Sequence, residues 1–423
     1  ATEPAETTAG AEQPASTEQL PLPLQAPPRD STRPRRRLAV PLGILAAMGI
    51  ALVIGLLRNS GPDLEPRADA MIPQDTGPET DGAAGEVLVD ERTVPPPPIA
   101  AGEPSWIFHA AGAISSSPLV VGNRIVFGCR DSTLYCLEAR TGEVEWKLAA
   151  GSGIGSSPCE AGGAVFIGTY GGELLAVSLK DGAPQWKAAT GGRIVSSPCV
   201  VGDRVIVGSY DRAIHGFDRA SGERKWKVDA GTPVRGSAEP LGRDGVVIGT
   251  GDGSLLCLDA MSGDVRWRRP TDAAIFGACA FDPARDLVVA GTQNGSAYGV
   301  SARTGEVRWR TGLGAEINGQ PRFAGGLVLV GTGQGRLHAL DPDTGATQWT
   351  AEAGRGFDAT PMVLGSTVVA PSFDGIVHFL DLADGGVRDR RPLEEEVFSS
   401  PTAGQGFLYV ATMGGTLHAL PLP

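Results

Sequence analysis

The sequence predicts an all-β chain, an eight-bladed β-propeller of four-stranded antiparallel blades, preceded by one transmembrane α-helix. Three observations predict it. Trp146, Trp186, Trp226, Trp267, Trp309 and Trp349 recur every 40 to 42 residues, with Trp106 forty residues before the first, and a period near forty belongs to repeat architectures. Glycine occurs 60 times and proline 33 times, so the chain turns often and suits many short strands better than long helices. Finally, Leu38 to Leu57 (LAVPLGILAAMGIALVIGLL) is a run of twenty residues without a charge.

The N-terminal elements come first. Residues 1–37 are rich in Pro, Glu, Ala and Thr and bury too little apolar surface to offset chain entropy, which predicts a disordered tail. Residues 38–57 have the length needed to cross about 30 Å of hydrocarbon. Arg33, Arg35, Arg36 and Arg37 precede the run and only Arg58 directly follows it. The positive-inside rule then places the N-terminus in the cytoplasm and everything after Arg58 outside the inner membrane. A cleaved signal peptide fits less well: the run is long and late, and RNSGPDLE follows it without a small-x-small site. Gly43, Ala47, Ala51 and Gly55 recur every four residues and predict a smooth stripe suited to a helix-mediated homodimer. Residues 58–103 form an acidic linker of net charge −7 that ends in Pro95 to Pro98, flexible at first and polyproline-like near its end.

Residues 104–423 carry the repeat. Seven turns precede the tryptophan position: EARTG (138–142), SLKDG (178–182), DRASG (218–222), DAMSG (259–263), SARTG (301–305), DPDTG (341–345) and DLADG (381–385). The polar first residue can bond the turn backbone, and the glycine accepts positive φ. Upstream of each turn lies a hairpin with a tip such as Gly171-Gly172, Asp252-Gly253 or Asn294-Gly295. Before the hairpin comes a short apolar strand, after Ser-Ser-Pro in the clearest copies (Pro118, Pro158, Pro198, Pro401). Four strands per forty residues make a propeller blade. Eight first strands are counted, and the last unit stops at Leu420 without a fourth strand. The segment around Trp106 is a fourth strand without a blade, so it is expected to complete the last unit and remove the open sheet edges. Blade seven has Asp389 where tryptophan is expected, which predicts a looser outer strand.

The pattern SSP…GT…G-x-L-x-A-L-D-x-x-TG-x-x-x-W resembles the PQQ-like repeat and covers residues 104–420. The resemblance implies one of three roles: a BamB-like scaffold of the bacterial cell envelope, the sensor domain of a larger membrane signalling protein of kinase type, or a PQQ-dependent dehydrogenase. Fold alone does not choose among them. Dehydrogenases of this family use a vicinal disulfide over the quinone and carboxylate and amide ligands to calcium. Here no two of Cys129, Cys136, Cys159, Cys199, Cys257 and Cys279 are adjacent. Packed sheets lie about 10 Å apart, beyond disulfide reach, so only Cys129 with Cys136, on one hairpin, is placed to pair.

Other chemistry recedes as well. The net charge of −12 offers no basic stripe for nucleic acid. His215, His338, His378 and His418 occupy one repeated strand position that Tyr135, Leu175, Leu256 and Tyr298 fill elsewhere. That reads as packing between blades, too widely spaced for a shared metal. Asp341 to Gly345 resembles half a calcium loop but is one copy of the repeated turn. The chain therefore reads as a non-enzyme without cofactor or metal, working by binding protein partners. The loops joining fourth to first strands gather on one face and vary between blades. Arginine and aromatic residues favour binding hot spots, so Arg193, Val234, Arg235, Phe276, Arg355, Phe357 and Phe398 are the expected partner-binding residues. The loop Thr232 to Ala238 around Arg235 is similar to the BamB loop whose arginine docks on its barrel-assembly partner.

Overall fold

The computed structural model describes residues 105–423, in which thirty-two strands form eight separate four-stranded sheets. The predicted tail, the segment Leu38 to Leu57 with its Gly43, Ala47, Ala51, Gly55 stripe, and the linker lie outside the described residues. Blade one comprises β2 (Leu119–Val121), β3 (Arg124–Gly128), β4 (Thr133–Glu138) and β5 (Val144–Ala149), hydrogen-bonded in that order from the innermost strand outwards. Blades two to seven repeat this order. In the eighth sheet, β30 (Thr402–Gly404), β31 (Phe407–Ala411) and β32 (Thr416–Pro421) are closed by β1 (Trp106–His109), with Trp106 opposite Ala419 and His109 opposite Thr416. Closure by the Trp106 strand is as the sequence predicts.

The apolar core lies between blades. Val126 and Leu134 of blade one pack with Val165, Ile167 and Val177 of blade two, and each neighbouring pair repeats the arrangement. The second strand is buried on both faces, as in Ala164–Gly168, whereas outer strands such as Pro184–Ala189 keep alternate residues in solvent. A fully buried aliphatic side chain contributes about 1.5–3 kcal/mol, and most of that gain here requires the adjacent blade.

The tryptophan repeat is a clasp between blades. Each of the seven indole N–H groups donates to a backbone carbonyl in the turn of the next blade, from Trp106 to Ala139 round to Trp349 to Leu382, at 2.7–3.2 Å. The turn glycine is required twice over. At Gly142 φ is +74°, and a Cβ would stand 2.6 Å from Cε3 of Trp106. The polar first residue does bond the turn: Asp341 Oδ1 accepts from the N–H groups of Asp343 and Thr344 at 3.0 and 2.8 Å. No calcium frame is needed to explain it.

This clasp also explains Asp389. The third and outer strands of blade eight come from opposite ends of the propeller, so no turn connects them. A tryptophan in blade seven would have nothing to clasp. Arg391 takes over, lying 4.4 Å over Phe379 and donating from Nη1 to the Pro421 carbonyl at 2.7 Å. Backbone pairing is kept: Val387–Pro392 pairs with Ile376–Asp381 through the same bulge as in blades one to six, while Asp389 stands exposed where the other blades set a partly or fully buried tryptophan.

Candidate binding site at the channel mouth

Each connection from an outer strand to the next inner strand follows one positional rule. Four residues before Pro118 and its equivalents stands an apolar residue: Ile114, Ile154, Ile194, Val234, Ile275, Ile317, Phe357 or Val397, none more than 1% exposed. Each plugs the space beside the second strand of the preceding blade. A Cβ at Gly208 would stand 2.5 Å from Cγ1 of Val234. Val234 and Phe357, expected as partner contacts, are therefore interior plugs, and only residues reachable from solvent can form a docking surface.

The next residue of each loop turns toward the axis. Ser115, Gly155, Val195, Arg235, Phe276, Asn318, Asp358 and Phe398, one from every blade, surround a cavity of about 440 Å³. Phe398 is 41% exposed. The guanidinium of Arg235 lies 4.2 Å from the Phe276 ring centroid, a cation–π pair that holds both side chains at the rim. Arg193 and Arg355 sit one and two residues before their plugs, on the same face but outside the cavity lining. Arg193 lies 5.2 Å over Tyr170, and Arg355 lies 4.7 Å over Phe373 and 3.2 Å from Glu396. Each arginine is thus held against an aromatic ring on its own face.

Deeper in the cavity runs a hydroxyl belt. The backbone N–H groups of Thr360, Ser400, Ser117, Ser157 and Ser197 donate to the hydroxyls of Ser400, Ser117, Ser157, Ser197 and Ser237 respectively, at 2.8–3.0 Å. Such bonds show that neighbouring blades converge at the axis, far closer than the general spacing of packed sheets. Residues of adjacent innermost strands come within 8 Å between Cα atoms, yet all six cysteines are free thiols, including Cys129, Cys136 and the neighbouring pair Cys159 and Cys199. The belt breaks at Ala278 and Gln320. Gln320 instead spans blade five, donating from Nε2 to the Cys279 carbonyl at 2.7 Å and to Glu239 Oε2 at 3.1 Å.

Two carboxyl groups in this cavity are hard to ionise. Burial pushes Glu239 up to about 7, against the opposing influence of Gln320 and Arg322. Burial also raises Asp358, which accepts from Asn318 Nδ2 at 3.1 Å and feels Glu316 as a second negative charge. Asn318 in turn accepts from Gln293 Nε2 at 2.8 Å. Among the described residues neither carboxylate lies within 4.0 Å of a lysine or arginine nitrogen. Sequence reasoning missed Glu239 and Gln320. One signal was available: an acid at 239 stands in a column otherwise filled by Leu119, Cys159, Cys199, Ala280, Arg322, Met362 and Thr402.

The histidines are structural. His378 Nε2 lies 3.0 Å from Ser372 Oγ, which also bonds Asp374. This Ser-His-Asp set has the serine between acid and imidazole and is wholly buried at Ser372. A nucleophilic triad needs the acid on the far imidazole nitrogen and an exposed hydroxyl. His215 pairs with Asp211 at 3.1 Å, His338 with Thr350 at 3.1 Å and His418 with Thr416 at 2.8 Å. Burial lowers the pKa of all four.

Eight four-stranded blades, a tryptophan-to-turn clasp and the Ser-Ser-Pro belt define a PQQ-like repeat β-propeller. The family model described as outer membrane protein assembly factor BamB matches residues 130–282 and 275–397, and the chain belongs to that family. Among solved structures it is similar to BamB from Moraxella catarrhalis, with TM-score 0.67 and 19% identity over 75% of this chain and 98% of that one. The computationally designed Ika8 protein gives TM-score 0.67 and 18% identity over 74% and 98%. Quinohemoprotein alcohol dehydrogenase from Comamonas testosteroni gives 0.62 and 14% over 76% and 77%. These likenesses define the fold. No curated protein matches the chain by sequence.

A quinone with its calcium ion does not fit this mouth. Carboxylate and amide groups are present in Glu239, Asn318 and Asp358, but the Asn318 oxygen is taken by Gln293 and its nitrogen by Asp358. Adjacent cysteines are absent. Among the described residues no three His, Cys, Asp or Glu side chains converge on a point where a metal would sit.

Proposed function

We propose that this chain is a membrane-anchored, extracytoplasmic binding propeller that holds protein partners of the bacterial envelope against its channel mouth. Membership of the BamB family supports an interaction scaffold. The observation that carries the reading is the rim itself, where Arg235 lies over Phe276 and Phe398 stands exposed beside the cavity. Arginine and aromatic side chains that are rigid before binding lose little entropy on docking. The twenty-residue apolar run Leu38 to Leu57 and its arginine flank support a single-pass inner-membrane anchor with the N-terminus in the cytoplasm and the propeller outside. The stripe Gly43, Ala47, Ala51, Gly55 would let two anchors pair.

A photo-crosslinking residue placed at Phe398 or Phe276 tests the face. Discrete adducts are expected from these sites in intact cells and none from Met261, which is 40% exposed and sits in a turn on the opposite face. The competing reading, a quinone-dependent dehydrogenase, draws on the likeness of fold to quinohemoprotein alcohol dehydrogenase, while the bonds that already occupy Asn318 speak against it. Alcohol-dependent dye reduction after incubation with quinone and calcium would establish it.

A further inference from the structure

The channel mouth holds two half-buried carboxyl groups, and among the described residues neither has an ion-pair partner within 4.0 Å; Arg322 acts on Glu239 only from farther off. Glu239 has one oxygen bonded by Gln320 and Asp358 has one bonded by Asn318. The cation nearest the rim, Arg235, is committed to the Phe276 face. On the same wall Ser115 Oγ is buried without a hydrogen-bond partner. The belt serines accept backbone N–H groups, and each keeps its own hydroxyl proton and a second lone pair for other use. The cavity is thus lined by acceptors and short of donors that carry charge.

We propose that the mouth is a receptor for a primary ammonium, presented by a lysine side chain of the protein partner. This rests on reading the mouth as the binding face and names what that face recognises. A lysine suits the geometry chemically: its aliphatic stem can lie along Phe398 while the ammonium, with three donors, reaches carboxylate and hydroxyl oxygens. Arginine fits less well, since its planar fork favours a single bidentate carboxylate and the two acids here stand on different blades. Burial penalises both acids when unpaired, and an incoming cation relieves that penalty where a neutral ligand cannot.

The test is isothermal titration of the full chain in detergent with acetyl-Gly-Lys-Gly-amide, with the same peptide acetylated at the lysine Nζ, and with acetyl-Gly-Glu-Gly-amide. The lysine peptide is expected to bind about tenfold or more tighter than either control, the scale of one charge-assisted hydrogen bond. Glu239→Gln and Asp358→Asn should each lose about tenfold of that preference, and Glu394→Gln, on an exposed residue outside the cavity, should lose none. Should Glu239→Gln fail to fold, Asp358→Asn carries the test. Equal affinity for the free and acetylated lysine peptides would overturn the proposal, as would unchanged preference in both cavity variants. Crosslinks from Phe398 without lysine preference would overturn this inference and leave the binding face standing. Lysine preference without crosslinks would uphold the ammonium site and refute the partner face.

Discussion

Replacing Glu239 with glutamine isolates the energetic cost of holding a carboxyl group in the channel. Burial raises this acid from its ordinary 4.5 to about 7, so the folded chain binds a proton that the unfolded chain releases between those values. Stability must therefore fall as pH rises from 4.5 through 7 and level off above it. A difference of about 2.5 between the two values corresponds to about 3 kcal/mol at full effect. Glu239 is only partly buried, and water screening reduces the expected part to about 2 kcal/mol. Glutamine keeps an oxygen for Gln320 Nε2 and removes the charge. Denaturant midpoints of wild type and Glu239→Gln, compared at pH 4.5 and pH 8.5, should coincide at the lower value, with the variant more stable at the higher. Comparing the two chains at each pH cancels the histidine titrations they share. A variant less stable than wild type at pH 8.5 would refute the reasoning, because the carboxylate would then be a stabilising partner rather than a strained one.

Three further outcomes follow from the packing. Trp226→Ala should cost about 3–5 kcal/mol through lost burial and the lost bond to Ala260, whereas Asp389→Ala should stay within about 0.5 kcal/mol; calorimetric melts would separate them. Gly208→Ala should destabilise by about 1–3 kcal/mol by pushing Val234 out of its pocket, and Val234→Ala added to it should recover part of that loss in denaturant titrations. The four buried histidines have folded pKa values below their ordinary 6.5. The unfolded chain then binds more protons at low pH, and stability should fall as pH drops below about 6.5. His378→Gln should flatten that decline in melts taken from pH 7 to pH 5.

Much of the fold was legible because the repeat writes the same physics eight times. Tryptophan spacing, the TG turns and the unpaired Trp106 strand fixed both the blade count and the closure. Asp389 was noticed but read as a weakness. Its meaning is topological, since the turn it would clasp is missing only in blade eight. The site was half legible. Arg235, Phe276 and Phe398 line the mouth, and Arg193 and Arg355 share its face, because loop residues that vary between blades are seldom structural. Val234 and Phe357 misled because each loop was read along its length. Read down the column, their position is apolar in all eight blades, which is the mark of a plug. The bridge from Gln320 to Glu239 joins residues 81 positions apart across an intervening blade, and no local pattern encodes it.

The central claim is that the mouth is where this propeller meets its partner. Photo-crosslinking from Phe398 in the full chain, with Met261 as the opposite-face control, tests it most directly. Discrete adducts from Phe398 that disappear with Arg235→Ala are the predicted result. Adducts from Met261 alone, or equal labelling from both faces, would contradict it.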